Sequence, residues 1–162
     1  MIRLALLVGL GGLIWIIAGS QVQTHERLPL SAVVPEAAMT QPFGCTSFAL
    51  EPFDPFCPGL HIHTGVDLAA PEGTAVHAAT SGTAHIGYDA QGAGLYVVVT
   101  ADSHVRELYC HLSTAVVANG DAVTTGEVIG AIGVTGLTTG AHLHFEVQID
   151  GRSVDPAVWL AS

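Results

Sequence analysis

Three short stretches of this chain carry side chains able to hold a metal or move a proton. His63 and Asp67 stand four apart in His63-Thr64-Gly65-Val66-Asp67. Gly65 inside that spacing and Pro71 just beyond it argue against a helix, so a strand and a turn are expected there. His142 and His144 stand two apart, and in an extended segment they emerge side by side on one face. His111 follows Tyr109 and Cys110 near the end of another β-rich run. Histidine and aspartate are ordinary zinc ligands, and a catalytic zinc takes three protein ligands with a fourth position for water. Two imidazoles and one carboxylate fill that set, and two imidazoles remain. Spare imidazoles can shuttle protons or stabilise an oxyanion. The combination suits metal-assisted amide hydrolysis. Taken singly, each stretch would also suit a solvated surface. Two histidines and a carboxylate also make the facial triad of non-haem iron oxygenases.

These side chains need rigid elements to position them. From His142 to Ile149 polar and apolar residues alternate strictly, which is the pattern of a half-buried strand. Leu143, Phe145, Val147 and Ile149 then face a core. Further strands are expected at Val66–Leu68, Ala75–Ala78, Thr83–Tyr88, Leu95–Ala101, Val105–His111 and Val128–Gly133. Turns separate them at Pro71-Glu72-Gly73, Ser81-Gly82, Asn119-Gly120-Asp121 and Asp150-Gly151. Short strands at such spacing predict an all-β sandwich or barrel. One helical turn is expected at Pro156–Leu160, after Asp155. In a strand, Cys110 and His111 point to opposite faces, so Cys110 is read as a small buried residue. His25, His61, His77, His85 and His104 are read as surface or structural groups, with His61 sharing the face of His63 if that stretch is extended.

In combination, His63-x-x-x-Asp67, Tyr109-x-His111-Leu112 and His142-x-His144-Phe145-Glu146 resemble the lysostaphin/LytM-type zinc metallopeptidases of the bacterial cell wall. The resemblance runs from about Thr40 to Pro156. It includes His63-Thr-Gly-Val-Asp67-Leu-Ala-Ala-Pro71, Gly120-Asp-Ala-Val-Thr-Thr-Gly126 and Gly130-Ala-Ile-Gly133-Val-Thr-Gly136. It implies a two-sheet antiparallel β fold with a groove over one sheet. It implies that His63, Asp67 and His144 hold one Zn²⁺, and that His111 and His142 are the catalytic pair. The implied substrate is the peptide part of peptidoglycan. Ala141 departs from the proline common before the His-x-His pair, and Glu127 and Cys110 depart from a common glutamine and alanine. None of these is an implied ligand. Fold does not guarantee activity, so a silent wall-binding scaffold, or an activator of another hydrolase, is the alternative.

The composition narrows the remaining classes. The net charge is -10, from 14 acidic residues against four basic ones, all arginine. So acidic a chain does not suit nucleic acid as a partner, because phosphate binding needs clustered cations. With no lysine, biotin and lipoyl carriers are excluded, although the Gly120–Gly126 turn is common in such domains. Arg3 followed by the uncharged run Leu4–Ala18 and the small residues Ala18-Gly19-Ser20 suggests an export signal or an uncleaved anchor. The run is short beside the ~20 residues of a membrane span. Either role puts the remainder outside the cytoplasm, with membrane contact only through this segment if it is uncleaved. Cys45 and Cys57 bracket a Pro-rich loop and are expected to pair in an exported chain. Spacing alone leaves two buried thiols or a metal pair open. The expected organisation is a signal or anchor at 1–20, a polar linker at 21–39 and a metallopeptidase domain at 40–162, acting as a monomer. No long inhibitory propeptide and no separate wall-binding domain are expected.

Overall fold

The computed structural model describes residues 26–162. Two short helices and twelve strands follow one another as α1 (Leu30–Val33), β1 (Ala38–Gln41), β2 (Gly44–Thr46), β3 (His61–His63), β4 (Val66–Ala69), β5 (Ala75–His77), β6 (Gly82–Asp89), β7 (Gly94–Thr100), β8 (Val105–Ala115), β9 (Ala122–Val123), β10 (Val128–Ile132), β11 (His142–Ile149), β12 (Arg152–Val154) and α2 (Pro156–Leu160). Their pairing is antiparallel throughout. A large sheet runs β1-β4-β11-β8-β7-β6-β9, with β12 on β11 and with β10 bridging β5 and β8. A small sheet pairs β2 with β3. The expected all-β class with a large and a small sheet is what is found.

The core follows from the patterns of the central strands. Leu143, Phe145 and Val147 of β11 are fully buried, and Ile149 packs at the edge of the core. In β7 the run Val97-Val98-Val99 is buried without alternation, as expected for a strand covered on both faces. Tyr109 of β8 lies against Phe145 with ring centroids 5.0 Å apart. Its hydroxyl donates to buried Glu107 at 2.5 Å and accepts from Ala79 N at 2.7 Å. Asp150 and Gly151 both have positive φ, so they form the two-residue turn that matches strand twist between β11 and β12. Asp155 caps α2 by accepting from Ala157 N and Val158 N, with Pro156 in the first turn.

The stretch expected to be a linker through Met39 is different where it is described. Val33 and Val34 are buried in the core, and β1 pairs with β4, Met39 opposite Leu68. The cause is local: Leu30, Val33 and Val34 stand at i, i+3 and i+4, one face of a helical turn. Pro29 and Pro35 bracket that turn and gave the segment the look of a loop. Arg27 then ties this segment to the C-terminus. Its guanidinium lies 4.3 Å from the Trp159 ring centre and donates to Trp159 O and Ser162 Oγ, both at 2.8 Å. The expected signal or anchor, Arg3 and His25 lie outside the described residues. Among the described residues no helix is long and apolar enough to cross a membrane.

Candidate active site

β4 and β11 are neighbours, and their register puts Asp67 directly opposite His144. His63 ends β3, and the chain turns through Thr64 and Gly65 into β4. Gly65 passes so close to Phe145 O and the His144 ring that a Cβ there would collide with both. This close pass folds His63 back over the Asp67–His144 pair. His63 Nε2 lies 3.1 Å from Asp67 Oδ1 and 3.0 Å from His144 Nδ1, and His144 Nδ1 lies 3.1 Å from Asp67 Oδ1. Three donor atoms thus form a nearly equilateral triangle. Ligand atoms at ~2.0–2.2 Å from a tetrahedral zinc stand about 3.3 Å apart. The donor set and its spacing therefore fit zinc.

The other side of each ring is also held. His63 Nδ1–H donates to Pro42 O at 2.9 Å, which leaves Nε2 as the nitrogen that could bind a metal. His144 turns Nε2 toward Glu146 Oε2 at 3.8 Å. Glu146 accepts further bonds from Thr64 Oγ1 at 2.9 Å, Gln148 Nε2 at 2.7 Å and Ser153 Oγ at 2.7 Å. A carboxylate behind a ligating histidine orients the ring and raises its basicity. Burial works against the charge on Glu146, but these donors outweigh it and hold the group at about 2. Burial likewise opposes ionisation of Asp67, yet the His144 and His63 hydrogen bonds drive it well below the usual carboxylate range. His144 is lowered by burial and raised more by Asp67 and Glu146, reaching about 9. The triangle attracts positive charge.

His142 and His111 flank it, with ring centroids 4.8 Å apart. His142 Nδ1–H donates to Gly140 O at 2.9 Å, and its Nε2 lies 3.5 Å from Asp67 Oδ1. His111 Nδ1–H donates to Thr135 O at 2.9 Å. Burial pushes the His111 pKa below its ordinary value. The expectation that Cys110 and His111 face opposite ways is corrected here. His111 has φ +63, and β8 carries an extra residue where Leu95 pairs with Leu112 and Val97 with Tyr109. The bulge breaks the alternation, so both side chains line the cleft. Cys110 is buried as read, and burial together with Glu146 and Asp67 raises its thiol to about 12.

Four of the five residues named from the sequence, Asp67, His111, His142 and His144, line one cleft of about 590 Å³, and the fifth, His63, is fully buried against Asp67 and His144. Phe48, Leu50 and Glu51, from the β2–β3 connection, form one part of the cleft wall, and Leu137–Gly140, from the β10–β11 connection, form another. The first wall is stapled by the Cys45–Cys57 disulfide, S–S 2.06 Å. His61, His77, His85 and His104 do not line the cleft. Glu146 stood in the quoted motif without a role, and Glu51 was not singled out. Alternation put Glu146 on the face of the two histidines, which was the available signal. Nothing in the spacing marked Glu51.

An antiparallel β domain with a His/Asp/His triangle beside two more histidines is the architecture of a metal-dependent hydrolase. Residues 61–156 match Peptidase family M23, and the chain belongs to that family. The catalytic domain of the antimicrobial peptidase lysostaphin from Staphylococcus simulans is similar, with a TM-score of 0.69 at 29% identity, over 85% of this chain and all of that domain. A zinc-containing peptidase from Vibrio cholerae gives a TM-score of 0.67 at 30% identity, over 82% of this chain and 39% of that one. In sequence, the DD-carboxypeptidase/endopeptidase Mpg of Neisseria meningitidis is 44% identical over 102 residues, 61% of this chain and 24% of that protein. The peptidoglycan DD-endopeptidase ShyA of Vibrio cholerae is 39% identical over 93 residues, 57% of this chain and 22% of that protein. The match therefore spans about a quarter or less of these relatives' length.

Proposed function

We propose that the chain is a zinc-dependent endopeptidase that hydrolyses peptide bonds of peptidoglycan outside the cytoplasm. The observation that carries this reading is the triangle of donor atoms 3.0–3.1 Å apart, with two further imidazoles beside it in an open cleft. His63, Asp67 and His144 would hold the metal, and His111 and His142 would be the catalytic pair. A bound zinc supplies an ionisable water and polarisation of a carbonyl. The remaining work falls to the chain's own groups. With Nδ1–H bonded to backbone carbonyls, His111 and His142 present Nε2 to the cleft. His111, kept neutral by burial, takes a proton at Nε2. The pair returns the proton to the leaving amine and stabilises charge growing on the carbonyl oxygen. Glu146 keeps the His144 ring in place.

The substrate class draws support from the relatives named as a peptidoglycan DD-endopeptidase and a DD-carboxypeptidase/endopeptidase. The extracytoplasmic setting draws support from the apolar run after Arg3 and from the disulfide. We take residues 1–20 as the signal or anchor, and count the segment from Arg27 through Val34 with the domain because Arg27 bonds to Trp159 and Ser162 and both valines are buried in the core. A monomer suffices, since one chain holds every group in the site. The test uses the full chain, refolded oxidatively. About one zinc per chain, together with chelator-sensitive release of new amino termini from purified peptidoglycan, is the expected outcome. One zinc and no cleavage across several wall types would sink the endopeptidase reading and favour a scaffold.

A further inference from the structure

Three carboxylates line the cleft, and two are accounted for. Asp67 belongs to the triangle, and Glu146 holds His144 and three other donors. Glu51 serves neither purpose. Its Oε1 accepts from Gln41 Nε2 at 3.1 Å and lies 4.0 Å from His63 Nε2. Its side chain is only 15% exposed. Among the described residues no second donor reaches it and no arginine pairs with it. With one neutral hydrogen-bond partner, this carboxylate keeps acceptor positions for a cationic group in the cleft.

The chain nevertheless fixes Glu51 in place. His61 Nδ1–H donates to Glu51 O at 2.7 Å, and Ile62 N donates to Pro52 O at 3.0 Å. The Cys45–Cys57 disulfide closes the loop that carries it. Phe48 and Leu50 stand in the same wall and offer apolar surface. An apolar wall beside a carboxylate suits a cation on an alkyl stem, because the stem is buried while the charge is paired. We propose that Glu51 is a specificity-determining residue that docks an alkylammonium group of the peptide substrate. The identity of the ligand as a peptide rests on the endopeptidase reading above. The amine can be a side-chain amine, as on a diamino acid, or a free α-amine, and the two are separable by experiment.

The test is binding rather than turnover, so it does not depend on cleavage. Zinc-loaded full chain is titrated at low salt with alanyl-lysine, with its side-chain-acetylated form and with its α-acetylated form, followed by chemical-shift changes. In the wild type, acetylating the docking amine should weaken binding about tenfold, the scale of one charge-assisted hydrogen bond. The amine whose acetylation matters identifies the source. In Glu51→Gln that ratio should fall to about one, and in Glu51→Asp it should be partly kept, since carboxylate rather than fold restores it. A structural effect would weaken all three peptides alike. Equal affinities in the wild type, a ratio that survives in Glu51→Gln, or no binding of any peptide would each overturn the proposal. A ratio without peptidoglycan cleavage would instead remove the endopeptidase reading and leave the docking site standing.

Discussion

The His63–Asp67–His144 triangle and the His111–His142 pair touch one another, yet the fold holds them in different ways. Asp67 and His144 are cross-strand partners inside a ladder, and a buried carboxylate and a carbonyl lock the rings behind the donor atoms. His111 sits on a bulge with left-handed backbone, and His142 is the first residue of its strand. Both lean on carbonyls of one connecting stretch, Thr135 O and Gly140 O. Sheet register therefore sets the groups that must meet at fixed distances. A loop sets the two imidazoles proposed above as the proton-transfer pair, and a loop can be retuned without moving the triangle.

The largest test of that division is His144→Ala. It should remove the zinc and lower peptidoglycan cleavage by about 10³-fold or more, read by metal analysis and amine release on one sample. His142→Ala or His111→Ala should keep about one zinc and lose about 10²–10⁴-fold in activity. Equal loss of zinc in all three variants would erase the distinction. Glu146→Gln should act on the triangle from behind, weakening zinc about 10–100-fold in competition with a chelator. Unchanged zinc affinity would mean that backbone alone orients His144.

The smallest effect is in the pH profile. Burial depresses the His111 pKa, so this imidazole stays neutral at a pH where a free one, near ~6.5, is charged. The acid limb of kcat/KM at saturating zinc should fall below that value, and an acid limb at or above it would count against His111 as proton acceptor. The sign for stability is fixed as well. A lowered folded pKa means the unfolded chain takes up the proton first as pH falls through ~6.5, so this residue costs stability on the acid side. His111→Gln should flatten that part of a Tm-against-pH curve.

Much of the triangle was legible because strand periodicity is a local signal. Alternation from His142 to Ile149 put two histidines on one face and the apolar residues in the core, as found. The Cys110–His111 bulge was not legible, because one residue in left-handed backbone changes every facing after it. Val33 and Val34 hid within a polar, Pro-containing stretch, where a single helical turn gives little periodicity to read. Glu51 reaches the cleft through a disulfide and a ring contact from His61, and neither leaves a spacing in the chain. Long-range contacts of this sort appear only when the chain is folded.

The grip of Arg27 on Trp159 and Ser162 means that the chain enters and leaves the domain at almost one point, and neither Arg27 nor Trp159 lines the cleft. A unit with adjoining ends can be spliced into a loop of another protein, or closed head to tail, with a joint of only a few residues. That is an architectural freedom. The same module can sit within much longer chains, and it matches less than a quarter of the relatives named above.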